Sequence, residues 1–161
     1  MRVFIRDYPE LHYMQTESEC GDGKNTWEHM EYIFNQMWFY FRHGAERYTY
    51  WNMVLLEGGI STWGWTQNSL CMVNPETGEL TLQPEFYLMK HFSHFVKKGA
   101  KLLETRGHWT SNTIAFENPD GSIVLVVGNC VNRDREFCFV HEEKAFSAEI
   151  KAHSVHTFVI D

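Results

Sequence analysis

Residues 12–23 read HYMQTESECGDG. A half-apolar run passes through Thr16-Glu17 and Ser18-Glu19, and Gly21 and Gly23 then break it. The pattern predicts a short strand over residues 11–17, opened by Pro9 and closed by the glycines. The acidic end has two readings: a solvated turn, or a carboxylate held at the rim of a sheet. Residues 26–43 follow, where Trp27, Met30, Phe34, Met37, Trp38 and Phe41 recur at helical spacing and mark one buried stripe. Asn25 is placed to cap that helix with Glu28 three residues on, and Gly44 to end it. Residues 48–55, YTYWNMVL, are almost continuously apolar and predict a strand buried on both faces, as in a parallel sheet. Strand, helix and strand in that order read as a βα unit.

Residues 57–69 then carry GGISTWGWTQN, a glycine-rich loop with Trp63 and Trp65. Loops of this length inside compact domains are usually functional. Pro84 opens a second helix, expected over 84–97, with Leu88, Phe92 and Phe95 on its apolar face and Gly99 as its stop. After Gly99 the grammar changes. Residues 112–117, 122–129, 135–140, 145–151 and 154–160 predict short strands, with a turn at Asn118-Pro-Asp-Gly121. The expected fold class is therefore α/β plus all-β: two βα units over residues 1–97, then an antiparallel β-sandwich over 98–161.

Composition narrows the function. The 161 residues are 43% hydrophobic and carry a formal net charge of −7. That balance argues against nucleic acid as a partner. No apolar run reaches the roughly 20 residues of a bilayer span. Arg2, Arg6, Asp7 and Glu10 do not read as a signal peptide. Cys20, Cys71, Cys130 and Cys138 form no CxxC pair, which argues against zinc, and a disulfide between Cys130 and Cys138 is the minority reading. His91 and His94 lie three apart on a helix without a third ligand, and His141, His153 and His156 read as exposed or structural. No metal or cofactor is expected. Aromatic residues reach 16%, enough for either a bulky core or a surface that stacks on flat ligands.

In parallel βα architectures the loops after the strands share one face. Glu17, Trp51, Asn52 and the Trp63–Asn68 loop would converge there. A carboxylate, amides and indoles suit a sugar, whose apolar faces stack on rings and whose hydroxyls bond polar groups.

The ordered runs YMQTESECG, YWNMVL, WGWTQNS and PEFYLMKHFSHFVKKGAK resemble the C-terminal part of glycoside hydrolase family 30, the family of glucosylceramidases and β-1,6-glucanases. The resemblance covers nearly the whole chain. It implies the last two βα units of a (β/α)8 barrel over residues 1–97 and sandwich strands over 98–161. It implies a retaining mechanism with two glutamates. Glu17, in Gln15-Thr16-Glu17, matches the nucleophile; Trp51 matches a sugar-subsite tryptophan and Asn68 an active-site asparagine. Asn52, Trp63 and Trp65 complete the expected substrate-binding set. Retaining enzymes place their two carboxyl groups about 5–5.5 Å apart. The family's acid/base lies on an earlier strand, and Glu19 is not its match.

A full barrel takes about 250 residues, so the sequence reads as a C-terminal fragment, inactive without the other barrel half. The expected partners are a β-glucoside or β-glucan substrate, that missing half, and further copies of the chain through uncovered apolar surface. The parent enzyme is expected to be secreted or extracytoplasmic. Two other readings compete: a non-catalytic carbohydrate-binding module, and an interaction fragment without a ligand.

Overall fold

The computed structural model describes residues 2–17 and 20–161; Glu19 lies outside the described residues. The chain divides into two compact units, Met1–Met89 and Lys90–Asp161.

The first unit begins with helix α1 (Arg2–Asp7), strand β1 (Tyr13–Gln15), helix α2 (Trp27–Arg42) and strand β2 (Ala45–Tyr48). β1 and β2 pair in parallel, with Gln15 opposite Tyr48, so the predicted strand–helix–strand unit is present. Met30, Ile33, Phe34 and Met37 of α2 are at most 1% exposed, one turn after another on a single face. Trp27, placed on that stripe from sequence, lies at the helix start and is 38% exposed. The cap also differs from expectation. Thr26, not Asn25, caps α2, its side chain accepting from the His29 N–H at 3.2 Å. The Asn25 amide oxygen is already engaged, accepting from the Ser69 N–H at 3.1 Å.

The expected strand over 48–55 does not form as one piece. β2 stops at Tyr48, the chain turns through a cis Trp51–Asn52 peptide bond, and strand β3 (Val54–Leu56) begins anew. Nor is the run buried on both faces: Trp51 is 44% exposed and Met53 71%. A continuous apolar run has no alternation, so its hydrophobicity does not reveal where a strand ends. β3 pairs in parallel with β4 (Cys71–Val73), and β4 pairs antiparallel with β5 (Leu80–Leu82). β4 and β5 are three residues each, too short to leave a clear pattern in the sequence.

Helix α3 (Pro84–Ser93) is shorter than the expected 84–97. In the second unit the groups just past its end are bound by Asn118 instead. The Asn118 side chain accepts from the Lys97 N–H at 2.8 Å and donates to the Phe95 carbonyl at 3.1 Å. Asn118 also opens the predicted Asn-Pro-Asp-Gly turn, where the Gly121 N–H donates to the Asn118 carbonyl and Gly121 takes φ +86°.

The second unit then builds strands β6 (Lys101–Leu103), β7 (Thr113–Glu117), β8 (Ile123–Asn129), β9 (Arg135–His141), β10 (Lys144–Ile150) and β11 (Ser154–Ile160). The last five fall within a residue of their predicted bounds. They form a four-stranded antiparallel sheet in the order β11-β8-β7-β6 and a two-stranded sheet of β10 and β9. Ala115, Ile123, Leu125, Val127, Phe137 and Ile150 make the core, with Trp109, Phe139, Phe146 and Phe158 packed on it. Every residue of β8 is buried, which matches its unbroken run of branched apolar residues. The four cysteines are free thiols.

Candidate functional site

β1 and β2 run in parallel, so the segments leaving their C-terminal ends leave from the same edge. Glu17 comes two residues after β1 and Trp51 three residues after β2. The Glu17 side chain is exposed. Its backbone is fixed by Gln15, whose side chain donates to the Glu17 carbonyl and accepts from the Glu17 N–H at 2.6 Å. Gln15 is 8% exposed, and its own carbonyl accepts from the Thr49 N–H at 2.9 Å. The residue before the candidate nucleophile's turn is thus tied to the residue after β2.

The two glycines that close the opening stretch have a steric role. Gly21 and Gly23 take φ +70° and +83°. A Cβ on Gly21 would strike the Asn68 side chain, and one on Gly23 would lie 2.6 Å from the Thr66 Cβ. Only glycine combines that backbone conformation with that approach. The loop after Glu17 therefore lies directly on the loop that carries the indoles. Thr66 adds a bond, donating from Oγ1 to the Asp22 carbonyl at 2.7 Å.

Asn68 is the junction. It is fully buried. Its Oδ1 accepts from the Gly23 N–H at 2.7 Å and from the Asn25 N–H at 3.4 Å. Its Nδ2 donates to Glu85 Oε1 at 2.8 Å. Its backbone N–H donates to the Cys20 carbonyl, and its carbonyl accepts from Asn52 Nδ2 at 3.2 Å. Asn52 and Asn68 are thus brought together, as amides that hold loops.

Residues 57–69 are ordered rather than open. The Ser61 N–H donates to the Trp65 carbonyl and the Gln67 N–H to the Gly59 carbonyl, both at 2.8 Å, around a bridge between Ile60 and Thr66. The turn presents Trp63 and Trp65 as a stacked pair with centroids 5.4 Å apart and planes 19° apart. Trp63 is 79% exposed and Trp65 51%. A bare indole pair of this kind can take the apolar face of a sugar ring.

Sequence reasoning missed Glu85. A glutamate one residue after a helix-opening proline reads as a favourable dipole partner on the surface. Here it is wholly buried. Burial pushes its carboxyl group above the usual range, against the opposing pull of its own backbone N–H, the Asn68 amide and His29. Tyr50, 8% exposed, is pushed up as well, first by burial and then by the nearby Glu85. No one-dimensional signal marks this burial, because it arises where α3 meets loops distant in sequence. Among the described residues no group of three His, Cys, Asp or Glu could hold a metal. Among the same residues no helix is long and apolar enough to cross a membrane.

Comparison with known proteins agrees with the resemblance read from the sequence. Residues 99–158 match the family profile described as the glycosyl hydrolase family 30 beta sandwich domain. The chain is similar to a putative glucosylceramidase 2 of Caenorhabditis elegans, 28% identical over 132 residues, covering 76% of this chain and 26% of that protein. It is also similar to the endo-1,6-beta-D-glucanase BGN16.3 of Trichoderma harzianum, 28% identical over 99 residues, covering 55% of this chain and 20% of that protein. The fold is similar to that of part of SrfJ from Salmonella typhimurium, with a TM-score of 0.87 at 21% identity over 99% of this chain and 37% of that one. The chain thus spans about a quarter or less of the length of these curated relatives.

Proposed function

We propose that the chain is the C-terminal part of a retaining β-glycosidase and supplies its nucleophile, a reading supported by the match of residues 99–158 to the glycosyl hydrolase family 30 beta sandwich profile. On this reading residues 1–97 are the last βα units of a (β/α)8 barrel and 98–161 the sandwich. Glu17 attacks the anomeric carbon of a β-glucoside or β-glucan. The leaving oxygen departs with a proton from an acid/base carboxyl group on a strand outside this chain, and water then releases the glycosyl-enzyme. Trp51 stacks on the bound sugar, and Asn52 and Asn68 hold the loops around it.

The observation that carries this reading is the shared edge: Glu17 and Trp51 follow the same ends of two parallel strands. The test is reconstitution with an N-terminal barrel portion from a family glucanase, assayed on an aryl β-glucoside. Restored turnover should fall on the order of a thousandfold or more in Glu17→Ala. A Glu17→Ala complex that turns over like the parent would refute the nucleophile assignment.

The exposed Trp63–Trp65 stack favours a second reading, a carbohydrate-binding surface that works without a barrel. The chain alone would then bind a soluble β-glucan by calorimetry. Trp65→Ala would weaken that binding by roughly tenfold, the scale of one lost stacking contact. Equal affinity in both proteins would dismiss this surface.

A further inference from the structure

We propose that Glu85 is a positioning residue: its carboxyl group, through Asn68, holds the segment that follows Glu17 against the segment that carries the two indoles. The effect on a sugar site rests on the reading above; the clamp itself does not.

The geometry is a relay of two side chains. Glu85 Oε1 accepts from Asn68 Nδ2 at 2.8 Å. That bond fixes which way the Asn68 amide faces, since Oδ1 and Nδ2 have opposite hydrogen-bonding roles. With Nδ2 held by Glu85, Oδ1 points at the Gly23 and Asn25 N–H groups. Both sit in the loop between Glu17 and α2. The backbone of Asn68 bonds Cys20 on one side and Asn52 on the other. One buried carboxyl group therefore sets three segments: 20–25, 51–52 and 66–69.

A second observation shows that Glu85 does more than fill space. Its Oε2 is buried and meets no hydrogen-bond partner among the described residues; the same holds for Tyr50 Oη and His29 Nε2. His29 on α2 is the titratable group acting on Glu85, and Glu85, Tyr48 and Cys20 act on Tyr50 beyond β2. An apolar side chain would satisfy such a site for packing alone. A carboxyl group there is needed for the bond to Asn68, and in its neutral form it makes that bond without a buried charge. Burial favours that form. As pH rises and Glu85 loses its proton, the Asn68 amide, the Glu85 backbone N–H and His29 offset only part of the cost of the buried charge, and the clamp loosens.

The test is backbone hydrogen exchange at Gly23 and Asn25 in the full chain, expressed as protection relative to intrinsic rates. Val126 in β8 serves as internal reference. Wild type, Glu85→Gln and Glu85→Leu are compared across the acid-to-neutral range. Glu85→Gln keeps an acceptor for Asn68 and has no proton to lose, so its protection should stay within roughly threefold of wild type at low pH and remain flat. Wild-type protection should fall as pH rises. Glu85→Leu should lose protection at both amides by roughly tenfold or more while Val126 is unchanged. Full protection at Gly23 and Asn25 in Glu85→Leu would overturn the proposal. If the leucine variant does not fold, the decision falls to the other two proteins, and identical pH profiles for wild type and Glu85→Gln would overturn it equally. Failure of the glycosidase reading appears separately, as catalysis that ignores Glu17.

Discussion

Replacing Asn68 by alanine removes the junction in one step, and its cost follows from the hydrogen bonds that vanish with the amide. The Gly23 N–H is deprived of an acceptor at 2.7 Å and Glu85 Oε1 of a donor at 2.8 Å. The bond to the Asn25 N–H, at 3.4 Å, is long and counts for little. Each such group left unmatched costs about 1–3 kcal/mol, so Asn68→Ala should destabilise the first unit by about 2–6 kcal/mol. That is a large fraction of the ~5–15 kcal/mol by which domains are usually stable. Urea unfolding followed by tryptophan fluorescence reads it well. Of the 6 tryptophans all but Trp109 lie in the first unit, so the signal reports that unit. At a slope of ~2 kcal/mol/M, the midpoint should fall by roughly 1–3 M. Asn68→Asp sharpens the test. It sets a second carboxyl group against Glu85, and the two can share a proton only while one of them is neutral. Its stability should approach wild type in acid and fall away as pH rises. A midpoint shift in Asn68→Ala worth under about 0.5 kcal/mol, the range of an ordinary surface change, would refute the junction argument.

Three further outcomes follow from other parts of the molecule. Phe137 is 3% exposed and its ring lies 5.6 Å from Phe158 and 5.5 Å from Trp109; Phe137→Ala should cost the second unit about 3–5 kcal/mol, read by near-ultraviolet circular dichroism against denaturant. Gly21→Ala meets both a positive φ and the Asn68 side chain, so it should destabilise the first unit by more than ~1 kcal/mol in the urea assay, and a neutral effect would mean the two loops do not touch. Burial first, and then the neighbouring His156 and Lys90, hold His91 below its ordinary value, with Nδ1 2.8 Å from Thr157 Oγ1. The neutral ring is the folded form, so stability is full above the ordinary histidine range and declines as pH drops below it; His91→Gln should flatten that decline in thermal melts, and an unchanged slope would contradict it.

Strands β7 to β11 were legible because each is long enough to show its pattern and they are separated by turn residues, as at Asn118–Gly121; β6, only three residues long, was not. Helix α2 was legible for the same reason, since four buried positions at 3.6-residue spacing leave a clear stripe. The cap of α2 was not, because Asn25 is used by Ser69, 44 residues away in sequence. The break in YTYWNMVL was equally hidden, since a continuous apolar run looks alike in a buried strand and in a bend. Of the candidate site, the residue types at Glu17, Trp51 and the indole loop could be read, while the commitment of Asn68 to neighbouring loops could not.

The sequence by itself determined helix α2, the strands β7 to β11 and the resemblance to a known family, because local periodicity and turn chemistry act over a few residues and survive in one dimension. Tertiary structure alone decided that Glu85 is buried, that Asn68 faces it, and that Gly21 and Gly23 lie against the loop at 66–68. Those facts depend on contacts between segments tens of residues apart, and a carboxyl group's environment is set by what surrounds it in space.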